Sequence, residues 1–323
     1  MDMYIIFLIL GFALLVKGAD FLVQGASSIA KKLKISELAI GLTVVAFGTS
    51  APELLINVQA SLQGNSDIAL GNILGSNIAN ILLILGIASV IHPLTVRRRQ
   101  VLIEIPIGIL SLILTWILGN NFFLNKSAIL SQTDGLIMIF FFVIFLIYTY
   151  KITKIEIFSE NKEKTLSTTT AIFLTIIGLI SLPIGGEWVV ESAVKIATSL
   201  GVSKFVIAAT IIAIGTSLPE LATSMVAAHK KKSDIVIGNI VGSNIFNTLW
   251  ILGLSATIRP IKINSINNTD ILIATLVGII LFSLLRRKRF FAQHEYILSR
   301  WTGITFLILY TIYLAFLILR SGT

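Results

Sequence analysis

Residues Gly48-Thr49-Ser50-Ala51-Pro52-Glu53 break an apolar stretch with a polar cluster, and Gly215-Thr216-Ser217-Leu218-Pro219-Glu220 repeat that cluster 167 positions later. Each copy precedes a second signature at the same offset. The first is Gly71-Asn72-Ile73-Leu74-Gly75-Ser76-Asn77-Ile78-Ala79-Asn80, and the second is Gly238-Asn239-Ile240-Val241-Gly242-Ser243-Asn244-Ile245-Phe246-Asn247. Aligned without a gap, residues 41–89 and 208–256 are identical at 24 of 49 positions, so the chain contains an internal duplication.

The duplication reaches outward from these motifs. Gly18 pairs with Gly185, Asp20 with Glu187, Ala26 with Ala193 and Ser36 with Ser203, all at 167, while Ser131 and Gly135 match Ser299 and Gly303 at 168. The chain therefore divides into a first half at 1–150, a polar linker at 151–168 and a second half at 169–323.

Composition decides what surrounds the motifs. The 323 residues are 55% hydrophobic and 13% charged, with mean hydropathy +0.94, whereas soluble domains carry about one-quarter charged residues. This is the composition of a multi-pass membrane protein. Crossing a hydrocarbon core takes about 20 mostly apolar helical residues. With that ruler ten spans fall at roughly 3–30, 38–62, 67–91, 101–119, 133–150, 169–197, 205–229, 234–258, 269–286 and 301–319. The first is expected to be a span rather than a cleaved leader, because it carries Asp2 in place of a basic start and lacks a small-residue cleavage site. Ser36, Ser66-Asp67, Ser203 and Ser233-Asp234 stand where helix N-termini need a cap, and Pro93 and Pro260 stand where helices should stop.

Five spans per half is an odd number, so the second half must insert upside down relative to the first. The expected fold is an all-α membrane protein of ten transmembrane helices in two inverted five-helix repeats. Charge agrees with that plan. Loops after the odd-numbered spans hold 18 of the 25 basic residues, including Lys31, Lys32 and Lys34, Arg97–Arg99, Lys230–Lys232, and Arg286, Arg287, Lys288, Arg289 and Arg300. The opposite side holds Lys126, Lys195, Lys204, Arg259, Lys262 and Arg320. By the positive-inside rule the rich side is cytoplasmic and both termini are extracytoplasmic, in a cell (inner or plasma) membrane. The basic runs set topology, so the net charge of +9 implies no nucleic-acid partner.

Glu53 and Glu220 fall near the middle of spans 2 and 7, where a carboxylate costs on the order of 3 kcal/mol and needs a partner, a cavity or an ion. Each follows Gly-Thr-Ser-x-Pro, and the proline removes a backbone donor and frees a carbonyl in the preceding turn. A matching break is expected in spans 3 and 8 at Gly75-Ser76-Asn77 and Gly242-Ser243-Asn244, so helices 2, 3, 7 and 8 all read as broken. The available ligands are oxygens alone. They are the two carboxylates, the hydroxyls of Thr49, Ser50, Ser76, Thr216, Ser217 and Ser243, the amides of Asn80 and Asn247, and freed carbonyls. With no cysteine, and with His92, His229 and His294 all at span ends, this set suits hard cations such as Ca²⁺ or Na⁺.

Blander readings apply to some of these residues. Gly71-x-x-x-Gly75 is also a helix-packing pattern, and a single membrane Ser or Thr often bonds to its own backbone. Two glutamates in symmetric positions beside two prolines are not explained that way. Lys17 and Asp20, spaced i, i+3, can pair with each other or serve transport. Glu187 and Glu191 are open in the same sense, and Glu104 is expected at the interface.

The paired Gly-Thr-Ser-x-Pro-Glu and Gly-Asn-x-x-Gly-Ser-Asn-Ile-x-Asn motifs resemble the alpha-repeats of the sodium/calcium exchanger family, within the calcium/cation antiporter superfamily. The resemblance spans essentially the whole chain. It implies overlapping Na⁺ and Ca²⁺ sites between helices 2, 3, 7 and 8. Carried over by position, the ligands are Glu53 and Glu220, Thr49 and Thr216 through backbone or side-chain oxygens, and the hydroxyls of Ser50, Ser76, Ser217 and Ser243. Ala46 and Ala213 fall on carbonyl ligands, and Asn80 also matches. Two departures stand out. Some members carry aspartate at one of the positions matching Asn80 and Asn247, where this chain has asparagine at both, and the joining segment is too short for the regulatory loop of animal exchangers.

The expected function is therefore a Na⁺/Ca²⁺ antiporter working by alternating access, with the ions as cargo, the bilayer as partner and no cofactor. A proton-coupled Ca²⁺ exchanger is the nearest alternative, although those relatives carry Gly-Asn-Ala where this chain has Gly-Thr-Ser. A passive cation channel is a further one. No nucleophile–base constellation suggests an enzyme.

Overall fold

The computed structural model describes residues 2–120, 128–153, 166–201, 211, 213–287 and 295–321. The helices, in chain order, are α1 (Asp2–Leu33), α2 (Glu37–Thr49), α3 (Ala51–Gln63), α4 (Ser66–Ile91), α5 (Gln100–Gly119) and α6 (Gln132–Thr153). The second half supplies α7 (Thr168–Ser199), α8 (Leu218–His229), α9 (Ser233–Ile258), α10 (Ser265–Arg287) and α11 (Arg300–Ser321). Among the described residues, eight are long and apolar enough to cross a membrane, and α2 with α3 makes a ninth bent by 49°. The chain is thus a mostly helical, multi-pass membrane protein. Of the expected seventh span, residues 202–210 and 212 lie outside the described set, as do Ser203, Lys126, His294 and residues 154–165 of the linker.

The two helices carrying the Gly-Asn motifs form the centre. In their most apolar windows α4 is 78% buried and α9 is 94% buried, against 22% to 39% for the other six long helices. Those six present Ile6, Ile9, Phe12, Phe140, Leu272, Ile308 and similar side chains outward, as surfaces in contact with lipid do. Along α9, the glycine spacing brings backbones together. A Cβ on Gly238 would lie 2.9 Å from the Cα of Gly41 and 2.9 Å from the carbonyl of Leu38, so α2 crosses α9 where only glycine fits. The packing reading of the Gly-x-x-x-Gly pattern holds for this copy but not for Gly71 and Gly75, where an added Cβ would meet nothing within 4 Å. The long helices α1 and α7 likewise meet along glycines, with a Cβ on Gly178 falling 2.7 Å from the carbonyl of Gly18.

Proline determines the real bend. Pro52 and Pro219 each occupy the second position of a new helix, following Ser50 (φ −82°, ψ 10°) and Ser217 (φ −87°, ψ 6°). The two copies thus leave helical geometry in the same way. The breaks expected in spans 3 and 8 are absent, because helix runs unbroken through Gly75-Ser76-Asn77 and Gly242-Ser243-Asn244. Glycine inside a helix costs about 1 kcal/mol but removes no hydrogen-bond donor, so central packing carries the helix through. The irregularity comes a turn later as widened π-helical turns at Asn80–Ile84 and Phe246–Ile251, a distortion often found at functional sites.

Capping is partly as expected. Ser36 accepts from the Ala39 amide at 3.1 Å, but α4 is capped by Asn65, which accepts from Ile68. Ser233 instead accepts from the Thr95 amide, and Asp234 pairs with Arg97. Two short antiparallel ribbons also correct the all-α expectation. Strand β1 (Leu94–Arg97) pairs with β4 (Glu295–Leu298), and β2 (Ile129–Leu130) pairs with β3 (Ile261–Lys262), so each ribbon joins the first half to the second. Strands of two to four residues between long apolar helices leave too little periodic pattern to be read in advance.

Candidate functional site

The bends at Ser50 and Ser217 point the first turns of α3 and α8 toward each other across α4 and α9. Glu53 and Glu220 sit in those turns, 0% and 1% exposed. Ser76 Oγ, from α4, donates to Glu53 Oε1 at 3.3 Å, and its twin Ser243 Oγ, from α9, donates to Glu220 Oε1 at 3.4 Å. The bend serines cross over to the other half. Ser50 Oγ donates to Glu220 Oε1 at 2.9 Å and Ser217 Oγ donates to Glu53 Oε1 at 3.4 Å. Ser217 Oγ also lies 3.3 Å from Ser76 Oγ.

The threonines cross over too. Thr49 Oγ1 donates to Asn239 Oδ1 at 2.9 Å, and Thr216 Oγ1 donates to Asn72 Oδ1 at 3.4 Å. Each asparagine amide then donates to the main-chain oxygen of the glutamate in its own half. Asn72 Nδ2 reaches Glu53 O at 3.4 Å, and Asn239 Nδ2 reaches Glu220 O at 3.3 Å. Apart from the Ser217–Ser76 contact, each of these bonds has a counterpart at the offset of 167.

Asn80 and Asn247 lie at the start of the widened turns and are buried. Asn80 Nδ2 donates to Asn244 Oδ1 at 2.9 Å and Asn247 Nδ2 donates to Asn77 Oδ1 at 3.2 Å. Four buried oxygens of this cluster have no hydrogen-bond partner: Glu53 Oε2, Glu220 Oε2, Asn80 Oδ1 and Asn247 Oδ1. Buried polar atoms are satisfied in the great majority of cases, so four acceptors left over in two symmetric pairs mark this region as open to an electropositive ligand. Among the described residues no group of three or more His, Cys, Asp or Glu side chains able to hold a metal is present.

Thus Glu53, Glu220, Thr49, Thr216, Ser50, Ser217, Ser76 and Ser243 fall in one hydrogen-bonded cluster. Asn80 and Asn247 sit in a second cluster of four asparagines, bonded to Asn244 and Asn77 rather than to the glutamates. Ala46 is buried below the first bend, and its carbonyl accepts from Thr49 Oγ1 at 3.3 Å and from the Ser50 amide at 3.0 Å. Ala213 opens the short helical turn Ala213–Gly215. Asn72, Asn77, Asn239 and Asn244 belong to the motifs but are not among the expected ligands. Their signal was present, since each is a membrane-depth amide repeated at 167.

Three side readings change. Asp20 forms its salt bridge with Lys230 and accepts from Gln24 Nε2 at 2.8 Å, so its ion pair reaches α8's end rather than Lys17. Glu104, expected at the interface near Arg97–Arg99, is 1% exposed and is held by Arg99 Nε at 2.9 Å and Tyr148 OH at 3.1 Å. Glu187 and Glu191 are exposed on α7.

The profile of the family described as sodium/calcium exchanger protein matches residues 3–151 and 170–319. The putative antiporter CaxA of Alkalimonas amylolytica is 39% identical over 291 residues, 86% of this chain and 89% of its own. The sodium/calcium exchanger MaX1 of Methanosarcina acetivorans is 31% identical over 348 residues, 96% of this chain and 97% of its own. A solved structure of the sodium-calcium exchanger NCX_Mj, soaked with zero Na⁺ and Ca²⁺, aligns with a TM-score of 0.82 at 32% identity, over 97% of this chain and 98% of that one. With a family profile that covers nearly every residue and full-length relatives on both sequence and structure, this chain belongs to the sodium/calcium exchanger protein family.

Proposed function

We propose that the chain is an antiporter exchanging Na⁺ for Ca²⁺ by alternating access, through a site built on Glu53 and Glu220. The observation that carries this reading is the pair of buried carboxylates whose Oε2 atoms have no partner. Two ionised carboxylates sealed from water are costly unless neutralised, and Ca²⁺ or several Na⁺ ions neutralise them. An empty site then resists closure, while either cargo permits it, which makes exchange obligatory.

In this reading Thr49, Thr216, Ser50, Ser217, Ser76, Ser243, Asn80, Asn247 and the carbonyls of Ala46 and Ala213 complete the oxygen ligands, as hard cations require. The architecture is ten spans in two inverted halves, 1–150 and 169–323, joined by 151–168. The repetition of site bonds at 167 and the paired ribbons support it. The helices α1 and α7, which pack on each other along glycines, are placed to slide across the site as the gate. Both termini are extracytoplasmic.

Purified protein in sodium-loaded liposomes tests the function. Ca²⁺ uptake should depend on an outward Na⁺ gradient and collapse when Na⁺ is equal on both sides. Uptake that follows a proton gradient and ignores Na⁺ would refute Na⁺ coupling, and Ca²⁺ leak without any gradient dependence would point to a channel.

A further inference from the structure

We propose that Asn72 and Asn239 are positioning residues that set the spacing of the two glutamates, a role that rests on the antiporter reading above. Asn72 holds three partners at once. Its Nδ2 donates to Glu53 O at 3.4 Å and to Asn57 Oδ1 at 2.6 Å, both on α3, while its Oδ1 accepts from Thr216 of the other half at 3.4 Å. Asn239 repeats this on the opposite side. Its Nδ2 donates to Glu220 O at 3.3 Å and to Ser224 Oγ at 3.0 Å, both on α8, and its Oδ1 accepts from Thr49 at 2.9 Å.

The chain order makes each amide a clasp. Thr216 is followed at once by Ser217, whose hydroxyl reaches the Glu53 carboxylate. Glu53 is thus held to the second half twice, at its main chain through Asn72 and at its carboxylate through Ser217. Glu220 is held to the first half by Asn239 with Thr49 and by Ser50. Without the clasps the two carboxylates would rest on two bent helix starts, each able to shift against α4 or α9. A divalent ion needs its oxygens within a few tenths of an ångström, so loss of a clasp weakens Ca²⁺ binding without removing any charged ligand.

Glutamine is too long to span the same three partners and aspartate lacks the donor. Asparagine alone, of these, supplies a donor to one half and an acceptor to the other from a short stem.

The test is a set of double-mutant cycles read in Na⁺-driven Ca²⁺ uptake, with wild type measured first. Asn72→Ala should raise the half-saturating Ca²⁺ concentration about tenfold, the effect of losing a half-buried hydrogen-bond group, with the maximal rate changed less than about threefold. Asn72→Ala combined with Thr216→Val should fall short of the product of the two single effects, because they share one bond while each also has contacts of its own. Asn72→Ala combined with Thr49→Val should multiply, because each belongs to a different clasp. The mirror pair Asn239→Ala with Thr49→Val should again fail to add. Melting of each purified variant in detergent separates lost folding from lost positioning. An unchanged half-saturation in Asn72→Ala, or independent effects of Asn72→Ala and Thr216→Val, would overturn the clasp while leaving the antiporter reading intact. No Na⁺-dependent uptake by wild type would instead take down the antiporter reading, and the clasp's role with it.

Discussion

Glu53→Gln separates charge from shape at the centre of this protein. Glu53 is 0% exposed, and its Oε1 already accepts from Ser76 and Ser217 while Oε2 has no partner. Glutamine can keep the oxygen at the Oε1 position and put its NH₂ where Oε2 was, so none of the hydrogen bonds now made is lost. What disappears is one unit of negative charge. Two unit charges about 4 Å apart interact by about 4 kcal/mol at an effective dielectric constant near 20, and a divalent ion doubles that. A loss of at least about 4 kcal/mol corresponds to about a thousandfold in affinity. Ca²⁺ uptake into sodium-loaded liposomes should therefore vanish at concentrations that saturate wild type. Melting in ion-free detergent should be no lower than wild type, because one of two buried like charges has gone. Exchange at near wild-type rate would mean that Glu53 is structural and that the ion site lies elsewhere.

Other expectations follow from the same geometry. Gly238→Val sets a side chain against the backbone of Gly41 and Leu38, both 2.9 Å from the new Cβ, so stability should fall by roughly 1–3 kcal/mol or more, measured by melting in detergent. Arg99→Met leaves the buried Glu104 carboxylate with Tyr148 as its remaining partner among the contacts described and should cost about 3 kcal/mol or more, with Glu104→Gln restoring part of the loss in the double variant. Asn247→Asp replaces the donor that reaches Asn77 Oδ1 with a third acid near the centre, so the melting temperatures with and without Ca²⁺ should move further apart than in wild type. Single cysteines at 97–99 and 230–232 should resist an impermeant reagent added outside intact cells, while one at 63–66 should react. Outside labelling at 230–232 would refute the inverted arrangement.

The sequence alone was enough for the duplication, the apolar spans and the two intramembrane glutamates beside prolines. These are local properties. Hydropathy over about 20 residues decides insertion, and a proline removes its own hydrogen bond wherever it sits. The bend after Thr49 and its twin after Thr216 were legible for that reason. The glycines of Gly75-Ser76-Asn77 misled because a glycine only weakens a helix, and close packing of α4 and α9 in the centre overrode the weakness.

Partner choice was beyond the sequence. That Ser50 serves Glu220 rather than Glu53, that Thr49 meets Asn239, and that Asp20 meets Lys230 rather than Lys17 depends on how helices far apart in the chain cross. Nothing in the spacing of Gly-Thr-Ser-x-Pro-Glu distinguishes a hydroxyl aimed at its own half from one aimed at the other. The internal repeat supplied the identities of the cluster in matched pairs, and only the tertiary fold exchanged their partners. The reason is physical: a buried hydroxyl or amide must find some partner, but which one is set by the backbone approach that small residues such as Gly41 and Gly238 permit.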